Sequence, residues 1–167
     1  MEAARPARAT DLPELEALAS AAIEELSPLR GGALWRAQSA RPAPVGESLA
    51  ADLEDPGVHV VVGTVDDTVV GYGVSRLEHL RDGSTLAVVT DLFVRSGARG
   101  VGVGERMMET LVSAAQDAGA IGIDSLALPG DRETKNFFET FGLKARAIVV
   151  HRSFASDGPG EPDGVSA

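Results

Sequence analysis

The chain has 167 residues, of which 44 % are apolar, and contains no cysteine, so it suits one globular domain and excludes disulfide bonds, a cysteine nucleophile and thiolate metal ligands. Its net charge of −10 repels phosphate backbones, which argues against nucleic acid as a partner and favours a cationic one such as an amine. No apolar run approaches the roughly 20 residues that cross a bilayer, and the N-terminus lacks the apolar core of a signal peptide, which predicts a cytoplasmic protein without a membrane partner.

The first third of the chain is predicted to begin with a strand and to continue with helices. Residues 3–9 form the strand, and apolar residues at helical spacing then predict a helix that ends near Pro28. Residues 31–55 indicate a second helical region. It is interrupted at residues 41–44, which contain two prolines, and it resumes at residues 47–53.

Strand and helix patterns alternate in the rest of the chain. β-branched runs predict three strands joined by turns at Asp66-Asp67 and at residues 81–84. The predicted elements are strands at residues 58–65, 68–77 and 85–94, a helix at 103–118, a strand at 121–128, a helix at 132–141 and a last strand at 144–154. Residues 155–167, rich in glycine, proline and aspartate, are predicted to be a disordered tail, which leaves residues 1–154 as a single domain.

The order of these elements predicts an α/β fold in which helices cover the faces of a mixed sheet. The strands at residues 85–94 and 121–128 enclose one helix. They therefore form a parallel crossover if they are neighbours in the sheet.

The loop before the helix at residues 103–118 is rich in glycine. Gly100, Gly102 and Gly104 alternate in it, so backbone amides can turn inward without obstruction by Cβ atoms, and the helix start adds unpaired N–H groups. Together with Arg99 they make an anion cradle suited to a diphosphate. The alternative is a tight turn beside a solvated arginine. A P-loop lysine is missing and the glycine spacing differs from a Rossmann fingerprint, so both of those nucleotide sites fit poorly.

Three motifs in the right order resemble the GNAT N-acetyltransferase superfamily. The pattern R-x-x-G-x-G at residues 99–104, preceded by Leu-Phe-Val at residues 92–94, resembles its acetyl-CoA motif. Residues 5–12 are similar to the first strand and helix entry of the family, and residues 136–143 are similar to its helix-to-strand turn. The resemblance covers about residues 5–154.

The resemblance implies a mixed, mostly antiparallel central sheet of about six or seven strands, flanked by about four helices, with a splayed parallel pair of strands at the cofactor site. It implies acetyl-CoA as co-substrate and no metal. The loop amides would hold the diphosphate, and the strand before the loop, where a bulge is typical, would pair with pantetheine. The cofactor-binding residues implied in this way are Leu92, Phe93, Val94, Arg99, Gly100, Val101, Gly102, Val103, Gly104, Asn136 and Phe138.

Position 138 departs from the family pattern. Many members carry a tyrosine there that protonates the departing thiolate, whereas Phe138 has no proton to give. The only tyrosine of the chain, Tyr72, lies on a predicted strand and is interpreted as a packed aromatic residue. Water or the substrate is therefore expected to protonate CoA.

The resemblance implies an N-acetyltransferase in which a neutral primary amine, of a small molecule or of a peptide or protein, attacks the acetyl carbonyl directly in a ternary complex. A base must first deprotonate the amine, and the family often uses an acidic residue on the strand before the loop. Asp91 occupies that place, with Thr90 as a neighbouring hydrogen-bonding residue, and these two are the candidate catalytic residues. Glu78 and His79 are the alternatives.

The sequence does not determine the substrate, the oligomeric state or the choice between a catalytic and a non-catalytic function. Glu24, Glu25, Trp35 and Arg36 fall where the resemblance places the acceptor pocket, and they do not name the substrate. A non-catalytic acyl-CoA-binding or sensing domain is the alternative function, because the tyrosine is absent, and a nucleotide-binding module is a third. Members of the family often form homodimers, which leaves a homodimer open for this chain.

Overall fold

The structure, a computed structural model, describes residues 1–154. These residues form five strands, five α-helices and two short 3₁₀ turns, and the predicted disordered tail at residues 155–167 lies outside them. The elements in chain order are β1 (Glu2–Pro6), α1 (Leu12–Leu26), α2 (Gly32–Gln38), α3 (Val45–Glu54), β2 (Val58–Val65), β3 (Thr68–His79), β4 (Thr85–Val94), α4 (Val103–Asp117), β5 (Ile123–Ser125) and α5 (Arg132–Thr140).

The five strands lie in one sheet in the order β1-β2-β3-β4-β5. The first three pairings are antiparallel, and the pairing of β4 with β5 is parallel. This confirms the predicted mixed, mostly antiparallel sheet and its parallel crossover through α4. Asp66 and Asp67 have positive φ angles of 46° and 65°. Two such residues in succession make a tight hairpin turn, which confirms the predicted hairpin between β2 and β3.

Helices cover both faces of the sheet. On one face α1 and α3 pack against β2 and β3, and on the other face α4 and α5 pack against the sheet, because each helix carries apolar residues at helical spacing. Within residues 1–154, none of the helices is long and apolar enough to cross a membrane. The largest buried side chains are Leu15, Leu18, Leu49, Val62, Tyr72 and Val74 on the first face, and Val103, Met107, Met108, Leu111 and Phe138 on the second.

Strand β4 carries a bulge near its middle. Val89 faces Ser75 of β3 and Asp91 faces Val74, so Thr90 is an extra residue without a partner across the ladder. A bulge bends its strand and re-aims the side chains around it. The irregularity expected in the strand before the glycine-rich loop is therefore present, and it lies at the two candidate catalytic residues.

Strands β4 and β5 part beyond this bulge. Their parallel ladder joins only residues 87–89 to residues 123–125, and β4 runs on to Val94 with no strand on that side in the described part of the chain. Backbone groups on this side of residues 92–94 therefore have no ladder partner. This open edge is the splayed parallel pair that the resemblance implies.

The strand and helix counts differ from the expectation. The strand predicted at residues 121–128 is reduced to β5, and the strand predicted at residues 144–154 does not form, which leaves five strands. Ile148, Val149 and Val150 are 84–89 % exposed. β-branched residues favour a strand only where a neighbouring strand and a buried face receive them, and within the described residues this segment has neither. The interrupted helical region folds as α2 and α3, so five helices flank the sheet.

Candidate functional site

A cavity of about 880 Å³ lies where β4 and β5 part. One wall is the open side of β4 at residues 88–94, and the opposite wall is the segment at residues 125–128. The glycine-rich loop and the start of α4 close one end, and α1, α2 and α5 complete the rim. Its volume is that of a site for a small molecule or a cofactor.

The loop before α4 presents a row of free backbone amides. The N–H groups of residues 100–105 donate to no acceptor among the described residues, whereas that of Arg106 donates to the carbonyl oxygen of Gly102 at 3.1 Å and starts the helical ladder. Gly100 and Gly102 have φ angles of 80° and 94°, which residues with a Cβ atom rarely adopt. The free amides add to the positive end of the α4 dipole, so the loop favours an anion.

The guanidinium group of Arg99 is held beside this loop by three contacts. Its two terminal nitrogens lie 2.7 and 2.8 Å from the carboxylate oxygens of Glu25 on α1. Its Nε donates to the carbonyl oxygen of Val94 at 2.8 Å, and its plane lies over the ring of Phe93 at 5.3 Å. The hydrogen bond to Glu25 raises the pKa of Arg99. The side chain remains 38 % exposed, so an anion in the cavity can reach this cation.

A buried arginine joins two aspartates behind the bulge of β4. Arg41, from the loop between α2 and α3, has a side chain only 5 % exposed, and its guanidinium lies 2.6 Å from Asp52 and 2.6 Å from Asp91. Although burial opposes its charge, the two carboxylates raise the pKa of Arg41. Sequence reasoning missed Arg41 and Asp52. Arg41 lies in a loop that contains prolines, Asp52 lies on an amphipathic helix, and the distance between them in the sequence does not indicate an ion pair.

Both carboxylate oxygens of Asp91 are engaged in hydrogen bonds. They accept from Arg41, from the Tyr72 hydroxyl at 3.0 Å and from the Thr90 hydroxyl at 2.8 Å. Burial, reinforced by the charge of Asp91, raises the pKa of Tyr72, so this hydroxyl stays protonated as a donor. Thr90 is exposed and lines the cavity. Its hydroxyl donates to Asp91 and keeps its oxygen lone pairs available to accept.

The cavity brings together most of the residues singled out in the sequence. Those that line it are Thr90, Asp91, Leu92, Phe93, Val94, Arg99, Gly100, Gly104 and Phe138, with Glu25 and Trp35 from the expected acceptor region.

Other predicted residues lie outside this lining. Val101, Gly102 and Val103 belong to the loop with the free amides but not to the cavity surface. Asn136 is exposed on α5, whereas the next residue, Phe137, lines the cavity. The remaining residues outside the lining are Glu24, Arg36, Glu78 and His79.

Phe138 forms part of an apolar wall. It is 6 % exposed and packs edge-on against Phe137, with the ring centroids 5.8 Å apart. It has no proton to transfer, and the hydroxyl of Tyr72 is committed to Asp91. Within the described residues, no group of three or more His, Asp or Glu side chains is arranged to hold a metal ion.

Comparison with known proteins identifies a family. The model of the "Acetyltransferase (GNAT) family" matches residues 21–143, a range that includes the end of α1, the parted strands, the glycine-rich loop and α5. No curated protein matches the chain significantly.

Solved structures share the fold at low sequence identity. A transcriptional regulator from Bacillus halodurans C-125 is 19 % identical with a TM-score of 0.68, and the match covers 92 % of this chain and 100 % of that one. An aminoglycoside acetyltransferase from an uncultured soil metagenomic sample, in complex with sisomicin, is 19 % identical with a TM-score of 0.69, covering 93 % and 97 %. The aminoglycoside N-acetyltransferase AAC(6′)-Iy in complex with CoA is 14 % identical with a TM-score of 0.71, covering 93 % and 96 %.

Proposed function

The chain belongs to the acetyltransferase (GNAT) family, and we propose that it is an N-acetyltransferase that moves the acetyl group of acetyl-CoA to a primary amine. The observation that carries the proposal is the row of free amides at residues 100–105, at the end of the strand that leaves an open edge along the cavity. A diphosphate needs several convergent donors, and a pantetheine arm pairs with an open strand edge. In this chain the free amides and the open strand edge lie next to each other.

In this proposal acetyl-CoA lies along the cavity in one direction. Its diphosphate lies on the amides of residues 100–105, with Arg99 as counter-ion. The pantetheine arm runs along the open side of residues 92–94 and pairs with backbone groups that β5 leaves without a partner, other than the Val94 carbonyl, which accepts from Arg99. This arrangement brings the thioester close to the bulge, where Thr90 and Asp91 lie.

The proposed reaction forms a bond between the amine nitrogen and the acetyl carbon and breaks the bond from that carbon to sulfur. The Thr90 hydroxyl donates to Asp91, so its oxygen can accept from an amine N–H and orient the nitrogen lone pair toward the carbonyl. Asp91 holds Thr90 in that orientation and is the proposed proton acceptor, with Thr90 as the link. Because Phe138 cannot donate a proton, water protonates the departing thiolate.

A small-molecule amine is the proposed acceptor. The net charge of −10 and the carboxylates of Glu105, Asp131 and Glu133 at the cavity favour a cationic molecule. A solved protein of the same fold binds sisomicin, which supports an acceptor of that kind. The cytoplasm is the proposed location, since acetyl-CoA is supplied inside cells.

Binding and thiol release test this function together. The chain has no cysteine, so any thiol that appears during turnover is CoA. We expect saturable acetyl-CoA binding by calorimetry, and thiol release with at least one amine from a panel of aminoglycosides, polyamines and peptide N-termini. Folded protein that binds no acetyl-CoA, or that binds ATP or NAD more tightly, contradicts the proposal. Saturable binding without release on any amine would indicate an acyl-CoA sensing domain instead.

Removing the hydroxyl at position 90 tests the proposed chemistry. Thr90→Val is expected to lower kcat by about 100-fold while leaving the Kd for acetyl-CoA unchanged, because it removes the hydroxyl that links the amine to Asp91 and no group proposed to hold the cofactor. Asp91→Asn is expected to reduce turnover more than acetyl-CoA affinity. Steady-state kinetics and calorimetry measure both effects, and Thr85→Val at the other end of β4 is the control. Wild-type kcat in both variants would remove Thr90 and Asp91 from the mechanism.

The ion pair between Glu25 and Arg99 is expected to compete with the diphosphate. Glu25→Gln releases Arg99 and should tighten acetyl-CoA binding by about two- to fivefold. A change of this size corresponds to the free energy of one exposed ion pair. Glu14→Gln is the matched control, because Glu14 is also on α1 and pairs with Arg95 at 3.5 Å. Calorimetric titration measures the change, and weaker binding in Glu25→Gln would mean that the pair positions Arg99 for the cofactor.

A further inference from the structure

Five charged side chains of alternating sign form a row that runs from the cavity to the exposed end of α3. Asp91 at the cavity contacts Arg41, and Arg41 contacts Asp52, each at 2.6 Å. Asp52 contacts Arg76 at 2.7 Å, and Arg76 contacts Asp55 at 3.6 Å. The first three side chains are 12, 5 and 8 % exposed, whereas the last two are 43 and 45 % exposed. Water therefore screens the inner charges much less than the outer ones.

Arg41 has two opposing effects on Asp91. Its Nε and one terminal nitrogen donate to the two carboxylate oxygens of Asp91 and hold them beside the bulge. A neighbouring guanidinium also stabilises the ionised form of a carboxylate and so makes it a weaker proton acceptor. The second carboxylate on the same guanidinium counteracts this effect. Asp52 accepts from the other terminal nitrogen of Arg41 at 2.6 Å, so Arg41 holds Asp91 in place while part of its charge is neutralised.

We infer that Asp52 and Arg76 are positioning residues that determine how strongly Asp91 accepts a proton, because they control how the charge of Arg41 is divided between two carboxylates. The inference rests on the proposed role of Asp91 as proton acceptor. Asp52 accepts from Arg41 with one carboxylate oxygen and from Arg76 with the other, so Arg76 neutralises part of the charge of Asp52. Neither Asp52 nor Arg76 lines the cavity. Their effect on the reaction therefore passes through Arg41.

The other groups around Asp91 do not replace Arg41 in this role. Among the described residues, Arg41 is the one charged group that contacts Asp91, and the hydroxyls of Tyr72 and Thr90 that donate to it are neutral. The charged residues on the other elements that line the cavity or pack against β4 are either paired elsewhere or lie at the starts of α4 and α5. They are Glu25, paired with Arg99, Asp124, paired with Arg146, and Glu105, Asp131, Arg132 and Glu133.

Two variants with opposite expected effects test the inference. Asp52→Asn keeps the shape and an acceptor oxygen but loses the charge, so Arg41 acts on Asp91 alone. We expect kcat to fall about threefold, and the acid limb of the kcat profile to move about one pH unit lower, because a weaker base stays ionised to lower pH.

Arg76→Gln leaves the charge of Asp52 less neutralised, which makes Asp91 a stronger base. We expect kcat to rise by up to about twofold and the acid limb to move a few tenths of a pH unit higher, a smaller change because Arg76 is exposed. The same amine is used throughout, so its own ionisation does not differ between variants. A purely structural role would lower kcat in both variants and leave the limb in place.

Asp55→Asn and Arg81→Gln are the matched controls, since they make the same changes in net charge at exposed residues. Both are expected to keep the wild-type kcat and acid limb, and unfolding midpoints verify that all four variants fold. The inference is overturned if Asp52→Asn and Arg76→Gln change kcat in the same direction. It is also overturned if Asp55→Asn moves the limb as far as Asp52→Asn, because the effect would then come from the general field of the protein.

Nuclear magnetic resonance of labelled carboxyl carbons tests the inference without turnover. The Asp91 resonance, assigned by its absence from the spectrum of Asp91→Asn, is expected to titrate about one pH unit lower in Asp52→Asn and a few tenths higher in Arg76→Gln. Identical titration in wild type and both variants overturns the inference. If the resonance moves as expected while Asp91→Asn keeps the wild-type kcat, the charge division is supported and the proposed catalytic role of Asp91 is wrong.

Discussion

Replacement of Arg41 by methionine is expected to lower the free energy of unfolding by about 3–5 kcal/mol. The substitution keeps the aliphatic stem and removes the cation, while the side chains of Asp91 and Asp52 are only 12 and 8 % exposed. Asp52 keeps its contact with Arg76 at 2.7 Å, so most of the cost falls on Asp91. A change of this size is a large part of the stability of an ordinary domain. Urea or thermal unfolding followed by circular dichroism measures it.

The control for this substitution is Arg36→Met, because Arg36 is exposed on α2. Its unfolding free energy is expected to change by no more than about 0.5 kcal/mol. Combining Arg41→Met with Asp91→Asn should cost less than the sum of the two single changes, since asparagine leaves no buried charge at position 91. Equal unfolding midpoints for wild type and Arg41→Met would show that the buried ion pairs contribute no net stability.

The cluster of Arg41, Asp52 and Asp91 connects α3, which covers one face of the sheet, to the cavity. Arg41 follows α2, Asp52 lies on α3, and Asp91 lies beside the bulge of β4. Through Asp91 the arginine also fixes the hydroxyls of Tyr72 and Thr90. Loss of Arg41 is therefore expected to reduce turnover in the fraction that stays folded, because the bulge loses the contact that holds it against α3.

Local patterns in the sequence were sufficient to predict the bounds of strands and helices that are determined by residues close to one another in the chain. β2 (Val58–Val65) and β4 (Thr85–Val94) begin and end at the predicted residues, because their β-branched runs are bounded by turn residues. The end of α4 differs by one residue from the prediction, since its apolar period is regular and Gly119 follows it. The glycine-rich loop could be placed between these elements for the same reason.

Contacts between distant residues could not be read from a single sequence. Arg41 and Asp91 are 50 residues apart, and Glu25 and Arg99 are 74 residues apart, so no local period relates them. Only the fold brings them together, and it thereby determines the charge environment of the candidate base and of the cofactor loop.

Two predictions near the end of the chain show other limits of local patterns. A motif position suggested a cofactor contact for Asn136, but the phase of α5 turns it to the exposed side, while its neighbour Phe137 lines the cavity. The contact therefore stays a prediction. The β-branched composition of residues 144–154 predicted a strand, but a strand also needs a neighbouring edge to pair with, and composition does not show whether one is available.

Arg99→Glu is expected to raise the Kd for acetyl-CoA by more than about 100-fold. A charge-assisted hydrogen bond contributes about 1.5–3 kcal/mol, which alone corresponds to roughly 10- to 150-fold in affinity. The new carboxylate also faces the proposed diphosphate and repels it, which adds a further loss. Arg99→Gln, which removes the charge without reversing it, should lie between wild type and Arg99→Glu. Calorimetric titration measures all three values.

The matched control is Arg95→Glu, which makes the same change in net charge four residues earlier. Arg95 is exposed, pairs with Glu14 at 3.5 Å and lies outside the cavity lining. Arg99 and Glu25 are 38 and 45 % exposed, so breaking their pair spares the fold, which an unchanged unfolding midpoint verifies. If Arg95→Glu weakened binding as much as Arg99→Glu, the loss would come from the general field of an acidic protein. The diphosphate would then lie elsewhere than on the loop at residues 100–105.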